Sequence, residues 1–143
     1  MKSKFVLLAS ALVLSFSTFA QKDELKTLKK IYAREKNSES DIADFKTTLS
    51  KAENLVANSS EDDKVYFGFY KAMAPILEFN VAMADPEKSK NPSLALNYFS
   101  PENLSLLVSN LNATLAFEKK SGKQLYTKDI EVKVNAFKSI FVN

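Results

Sequence analysis

The residues best placed to do chemistry in this sequence are acids. Glu61-Asp62-Asp63 sets three carboxylates in a row, enough charge to attract a divalent cation. Consecutive acids lack the alternating ligands and turn glycine of a calcium loop. They follow Ser59-Ser60 and precede a long apolar run. They therefore read as the first turn of a helix, where negative charge offsets the positive end of the helix dipole. Two carboxylates could also carry glycoside hydrolysis. With 17 acids in 143 residues, pairs are unavoidable and no pair stands out.

Other chemistries lose their reagents. The chain has no Cys and no His. That removes disulfides, thiolate nucleophiles, the commonest general base and the usual zinc and iron ligands. Gly68 and Gly122 are the only glycines, so there is no glycine loop to cradle phosphate. Tyr66, Phe67, Phe69, Tyr70, Phe79, Tyr98 and Phe99 could line an apolar ligand pocket, although core packing explains aromatics at such density. The net charge is +3, but Lys2 and Lys4 lie in a leading segment expected to be removed. Without them 18 basic residues face 17 acidic ones, and a chain so balanced lacks the footprint of a nucleic-acid binder. The expectation is a non-enzyme with no cofactor and no metal. The sequence assigns no catalytic, cofactor-binding or metal-ligating residue, and no binding-groove residues.

The elements that must position these groups read as helices. Ser60 is placed to cap the central one, with Asp63 able to reach back to it. Apolar residues recur at Tyr66, Phe69/Tyr70, Met73 and Ile76/Leu77, with Val65 and Phe67 off that face. A helix apolar on several sides is buried between neighbours. Gly68 predicts a close approach by another helix, and Pro75 predicts a kink or break near Lys71–Pro75.

Around it, Lys22–Glu35 reads as the first mature helix, with Leu25, Leu28 and Ile31/Tyr32 on one face. Asn37-Ser38-Glu39-Ser40 is a turn, and Asp41–Ala57 a helix whose stripe is Ile42, Phe45, Leu49, Ala52 and Val56. The short connections imply antiparallel neighbours. Asp85–Pro92 is a polar loop, and Pro92 can open a short helical turn. Ser100-Pro101-Glu102 starts a helix with a stripe at Leu104, Leu107/Val108, Leu111 and Leu115, and Gly122 ends it. The last segment alternates like an edge strand at Ile130–Val134, yet Ile130, Val134, Phe137 and Phe141 also fit a helix capped by Thr127. With no partner strand elsewhere, helix is the reading. The fold class is all-α: antiparallel helix hairpins, as a tetratricopeptide-like α-solenoid or a small helical bundle.

Met1–Ala20 has the form of a signal peptide, with Lys2 and Lys4, the apolar run Phe5–Leu14, and small residues at Thr18 and Ala20. Cleavage would leave Gln21 as the new terminus of a helical domain over 21–143, periplasmic or secreted, with no stable membrane anchor. The chain stops in the apolar run Ile140-Phe141-Val142-Asn143, which predicts either an end tucked into the core or a longer protein cut there.

Several runs carry a resemblance. They are Gln21–Ala33 after the signal segment, Asp63–Phe67, Phe69–Pro75, Leu111–Leu115, Glu118–Lys123 and Tyr126–Ile130. Together they resemble the leading part of exported tetratricopeptide-repeat proteins of Gram-negative bacteria. The chain has no Trp and no Leu-Gly pair, so the likeness is to an atypical first segment and not to the repeats. The resemblance implies a non-catalytic scaffold of stacked helix pairs that binds other envelope or periplasmic proteins. The alternative is a helical bundle carrying an apolar ligand such as a lipid.

Overall fold

The computed structural model describes residues 22–91 and 93–141. The expected signal segment Met1–Ala20, the new terminus Gln21, Pro92 and the terminal Val142-Asn143 lie outside them. Every regular element among the described residues is helical: α1 over 22–32, α2 over Glu39–Val56, α3 over Glu61–Met83, a 3-10 turn at Lys88–Lys90, α4 over Leu94–Tyr98, α5 over Pro101–Ser121 and α6 over Thr127–Phe141. The all-α expectation holds, and the ambiguous last segment is a helix. None of these helices is long and apolar enough to cross a membrane.

Three helices begin on a serine. Ser38 Oγ accepts the Asp41 N–H at 3.2 Å, and the Asp41 carboxylate accepts the Ser38 N–H at 2.9 Å, a complete capping box. Ser60 accepts from Asp63 N–H at 3.3 Å and Ser100 from Asn103 N–H at 3.2 Å. Pro101 stands in the first turn of α5, and Gly122 closes that helix with φ 72°, in the left-handed region that a Cβ disfavours. Because Ser38 is the cap, α2 starts earlier than the expected Asp41. α1 stops at residue 32, short of Glu35, since the chain must turn to reach that cap.

α3 is the centre. It buries Phe67, Phe69, Tyr70, Ala72, Met73, Leu77 and Ala82, and α2 and α5 pack along it. Each large side chain so buried contributes roughly 1.5–3 kcal/mol. Of the kink or break expected near Lys71–Pro75, the break does not occur. α3 runs unbroken through Pro75, with neighbours on both flanks to keep the turn helical where one backbone bond is missing.

Ion pairs show the direction of α2 against α3. Lys71 pairs with Glu53 and Lys46 with Glu78, so residue numbers rise on one helix as they fall on the other. The pair is antiparallel, as the short connection requires. α5 also runs antiparallel to α3: Tyr66 meets Glu118, Gly68 meets Asn110, and Phe79 meets Phe99. A Cβ on Gly68 would run into the Asn110 side-chain amide. That is the close approach the glycine predicted.

The buried face of α5 is rotated from the expected stripe. Leu107, Leu111, Thr114, Phe117 and Glu118 are buried, whereas Val108 is 57% exposed and Leu104 and Leu115 are half-buried. The turn that carries Thr114 and Glu118 faces the core because both oxygens find donors or acceptors there. Thr114 returns its hydroxyl to the Asn110 carbonyl at 2.8 Å.

The first and last helices touch. The Tyr32 ring on α1 lies 5.7 Å from the Tyr126 ring, and its hydroxyl bonds Asp129 on α6, 97 residues along the chain. In a solenoid each unit contacts only its neighbours. This closure is consistent with a helical bundle.

Candidate functional site

Four of the five tyrosines converge where α1, α3, α5 and α6 meet. Tyr126 stacks on Phe69 with ring centroids 4.3 Å apart, and Tyr32, Tyr66 and Tyr70 stand edge-on around it. Such ring pairs contribute about 0.5–1.5 kcal/mol each beyond their burial. Their hydroxyls are tied in turn. Tyr70 bonds Tyr126, Tyr32 bonds Asp129, and Tyr66 donates to Glu118 at 3.3 Å.

Glu118 is the hub. It is 1% exposed, and no cation pairs with it among the described residues. Its carboxylate accepts the N–H of Tyr126 at 3.0 and 3.2 Å, the N–H of Thr127 at 2.9 Å and the Thr127 hydroxyl at 2.6 Å. It therefore caps α6 from another helix. Thr127, the expected cap, instead donates both its groups to that carboxylate. Burial pushes the Tyr66 hydroxyl up to about 12, helped by the Glu118 charge. Burial also raises Tyr70, Tyr126 and Tyr32, the last further through its bond to Asp129. Every oxygen in the cluster already has a protein partner. Its work is to lock the helices at one angle.

Beside this lock lies a cleft of about 390 Å³ between the turn after α1, the second half of α3 and the α6 residue Lys133. Met73, Ile76, Leu77 and Val81 supply apolar walls, and Tyr32, Arg34, Glu35, Lys36, Asn37 and Lys133 supply the rest with Asn80 and Ala84. Tyr32 belongs to both the lock and the cleft. Lys133 pairs with Asp129 and sits 5.7 Å from the Tyr32 ring centroid, so the α6 wall is fixed by the lock. Arg34 is likewise held by Asp41. Asn37 Oδ1 is buried with no hydrogen-bond partner.

The residues weighed in the sequence lie elsewhere. Glu61, Asp62 and Asp63 occupy the first turn of α3, where Asp62 pairs with Lys123. No group of three acids among the described residues is arranged to hold a metal. The aromatics divide into the lock and a second group in which Phe79 meets Tyr98 and Phe99 at 6.0 and 5.2 Å. Tyr66 and Tyr70 also edge a shallow groove of about 240 Å³ with Leu25 and Leu125. Sequence reasoning missed Glu118 and Asn37. For Glu118 a signal existed: it stands seven residues after Leu111 and eleven after Leu107, on the same helical face. For Asn37 there was none, because a turn has no period.

No family model, no curated protein and no solved structure matches the chain.

Proposed function

We propose that this is an exported, non-catalytic helical protein that binds other proteins of a bacterial envelope through the cleft beside α3. Removal of Met1–Ala20 delivers it to the periplasm or the medium. The likeness to leading segments of exported tetratricopeptide-repeat proteins belongs to this reading and rests on the sequence runs alone. The observation that carries the reading is the cleft itself: a concave apolar surface, rimmed by charges, on the most buried helix of the bundle. The carrier alternative draws less support. The central-helix aromatics that would enclose a lipid pack on one another.

A photoreactive residue at Ala84, on the cleft, and one at the exposed Lys51 on α2 test this in the cells that make the protein. A discrete protein adduct from position 84, absent from position 51, is expected. Equal labelling from both positions overturns the reading. A stoichiometric lipid recovered by solvent extraction would replace it with the carrier.

A further inference from the structure

The shallow groove of about 240 Å³ between α1 and the first half of α3 shares no residue with the cleft. Its apolar surface comes from Leu25, Tyr66, Tyr70 and Leu125. The two hydroxyls are engaged in the core, Tyr66 with Glu118 and Tyr70 with Tyr126, so the rings offer carbon to the groove and not oxygen. Leu125 is 50% exposed, apolar surface left in water at the edge of the groove.

The rest of the lining is charge, mostly of one sign. Lys22, Lys26 and Lys29 stand on the α1 face that carries Leu25, at the three- and four-residue spacing that stacks side chains. They meet a single acid, Asp63, whose carboxylate lies in the first turn of α3 and answers the positive end of that helix. Among the described residues Lys22 and Lys29 are in no ion pair, and Lys26 has only Asp23, with side chains 77% and 74% exposed. A pair so exposed contributes little. An apolar floor beside an unneutralised cationic wall complements a molecule that is anionic at one end and apolar along its length. Lysine suits that geometry, because its methylene stem lies against a chain while its ammonium stays in water. Size narrows the class. The groove is smaller than the roughly 300–1,000 Å³ of sites that enclose a drug-sized ligand. It has room for one hydrocarbon chain and not for the two of a membrane phospholipid.

We propose that this groove binds a free single-chain amphiphilic anion of the fatty-acid type, with its chain over Leu25, Tyr66 and Leu125 and its head among Lys22, Lys26 and Lys29. The site is separate from the protein-binding cleft. It also differs from the carrier alternative: the anion lies in an open groove and exchanges with solvent, while the central aromatics stay packed on one another.

Calorimetric titration of the unmodified protein with decanoate, decylamine, decyl glucoside and acetate tests this. Decanoate should bind at one site, about tenfold or more tighter than the cationic and neutral chains, and acetate should not bind. Added salt should weaken decanoate. Lys22→Gln, Lys26→Gln and Lys29→Gln combined remove three exposed charges and should weaken decanoate about tenfold. Leu125→Ser should weaken it several-fold, and Lys51→Gln on α2 should change nothing. Equal binding of decanoate and decylamine overturns the proposal without need of any variant. Undiminished binding by the triple variant overturns it as well. If decanoate does not bind, the proposal fails, and binding of phosphatidylglycerol vesicles in its place would assign the lysines to a membrane surface.

Discussion

α2 and α6 begin in opposite ways. α2 is capped by its own neighbours: Ser38 and Asp41 exchange two hydrogen bonds across three residues, at the surface. α6 is capped from a distance: Glu118, eight and nine residues upstream on α5, takes the N–H groups of Tyr126 and Thr127 inside the core. A local cap decides where a helix starts. A remote cap also decides where the helix lies, because it forms only when two helices are docked. The first stabilises a segment, and the second stabilises the tertiary fold.

The largest contrast should come from alkali. Tyr32, Tyr66, Tyr70 and Tyr126 all surround the start of α6, and burial raises every one of them. A group whose pKa is raised on folding lends stability that is complete below its unfolded value, about 10 for tyrosine. That stability is lost as pH rises through the folded values. Tyrosinate absorbance and loss of helical circular dichroism should therefore rise together above pH 10. Tyrosines that ionise while the helical signal persists would show that the lock does not hold the bundle.

Next in size is Glu118→Ala. It strands the buried Tyr126 N–H, the part-buried Thr127 N–H and the Tyr66 and Thr127 hydroxyls, and should cost about 3 kcal/mol or more in urea unfolding. Glu118→Gln keeps one carbonyl oxygen but turns an NH₂ toward donors, so it should cost roughly half as much. By contrast Ser38→Ala, Ser60→Ala and Ser100→Ala should each cost about 1 kcal/mol. If Glu118→Ala cost no more than Ser38→Ala, the distinction between the two kinds of cap would collapse.

The smallest effect lies at the acid end. Asp41 is held below the ordinary carboxylate range, first by the Ser38 backbone N–H and then by Ser38 and Arg34 side chains. Its contribution is present above its unfolded value and lost as pH falls through the folded one. Amide exchange in the first turn of α2 should quicken below about pH 4, before the rest of the bundle responds. Uniform quickening would mean that the surface cap is coupled to the core.

The same contrast explains what could be read from the sequence. Ser60, Ser100-Pro101 and Gly122 mark helix ends through groups within three residues, and each stands where expected. Gly68 told of a close neighbour without telling that Asn110 is the contact. Pro75 does not end the helix, because packing on two flanks outweighs a single missing backbone bond. The rotated face of α5 misled for a related reason: counting only apolar residues passed over Thr114 and Glu118, whose oxygens are satisfied by partners no local pattern shows. The cleft was out of reach, since it joins residues 32–37, 73–84 and 133 from three separate elements.

The contact between Tyr32 and the start of α6 has a kinetic meaning. A chain made from its N-terminus has Phe69 and Tyr70 long before it has Tyr126, the ring that stacks on the first and bonds the second. Local helix pairs such as α2 and α3 can form early, since loop closure over short separations is fast. The core cannot finish until residues 126–130 arrive. Until then the molecule is a set of helices with an open aromatic face, and commitment to one structure waits on the segment that opens α6.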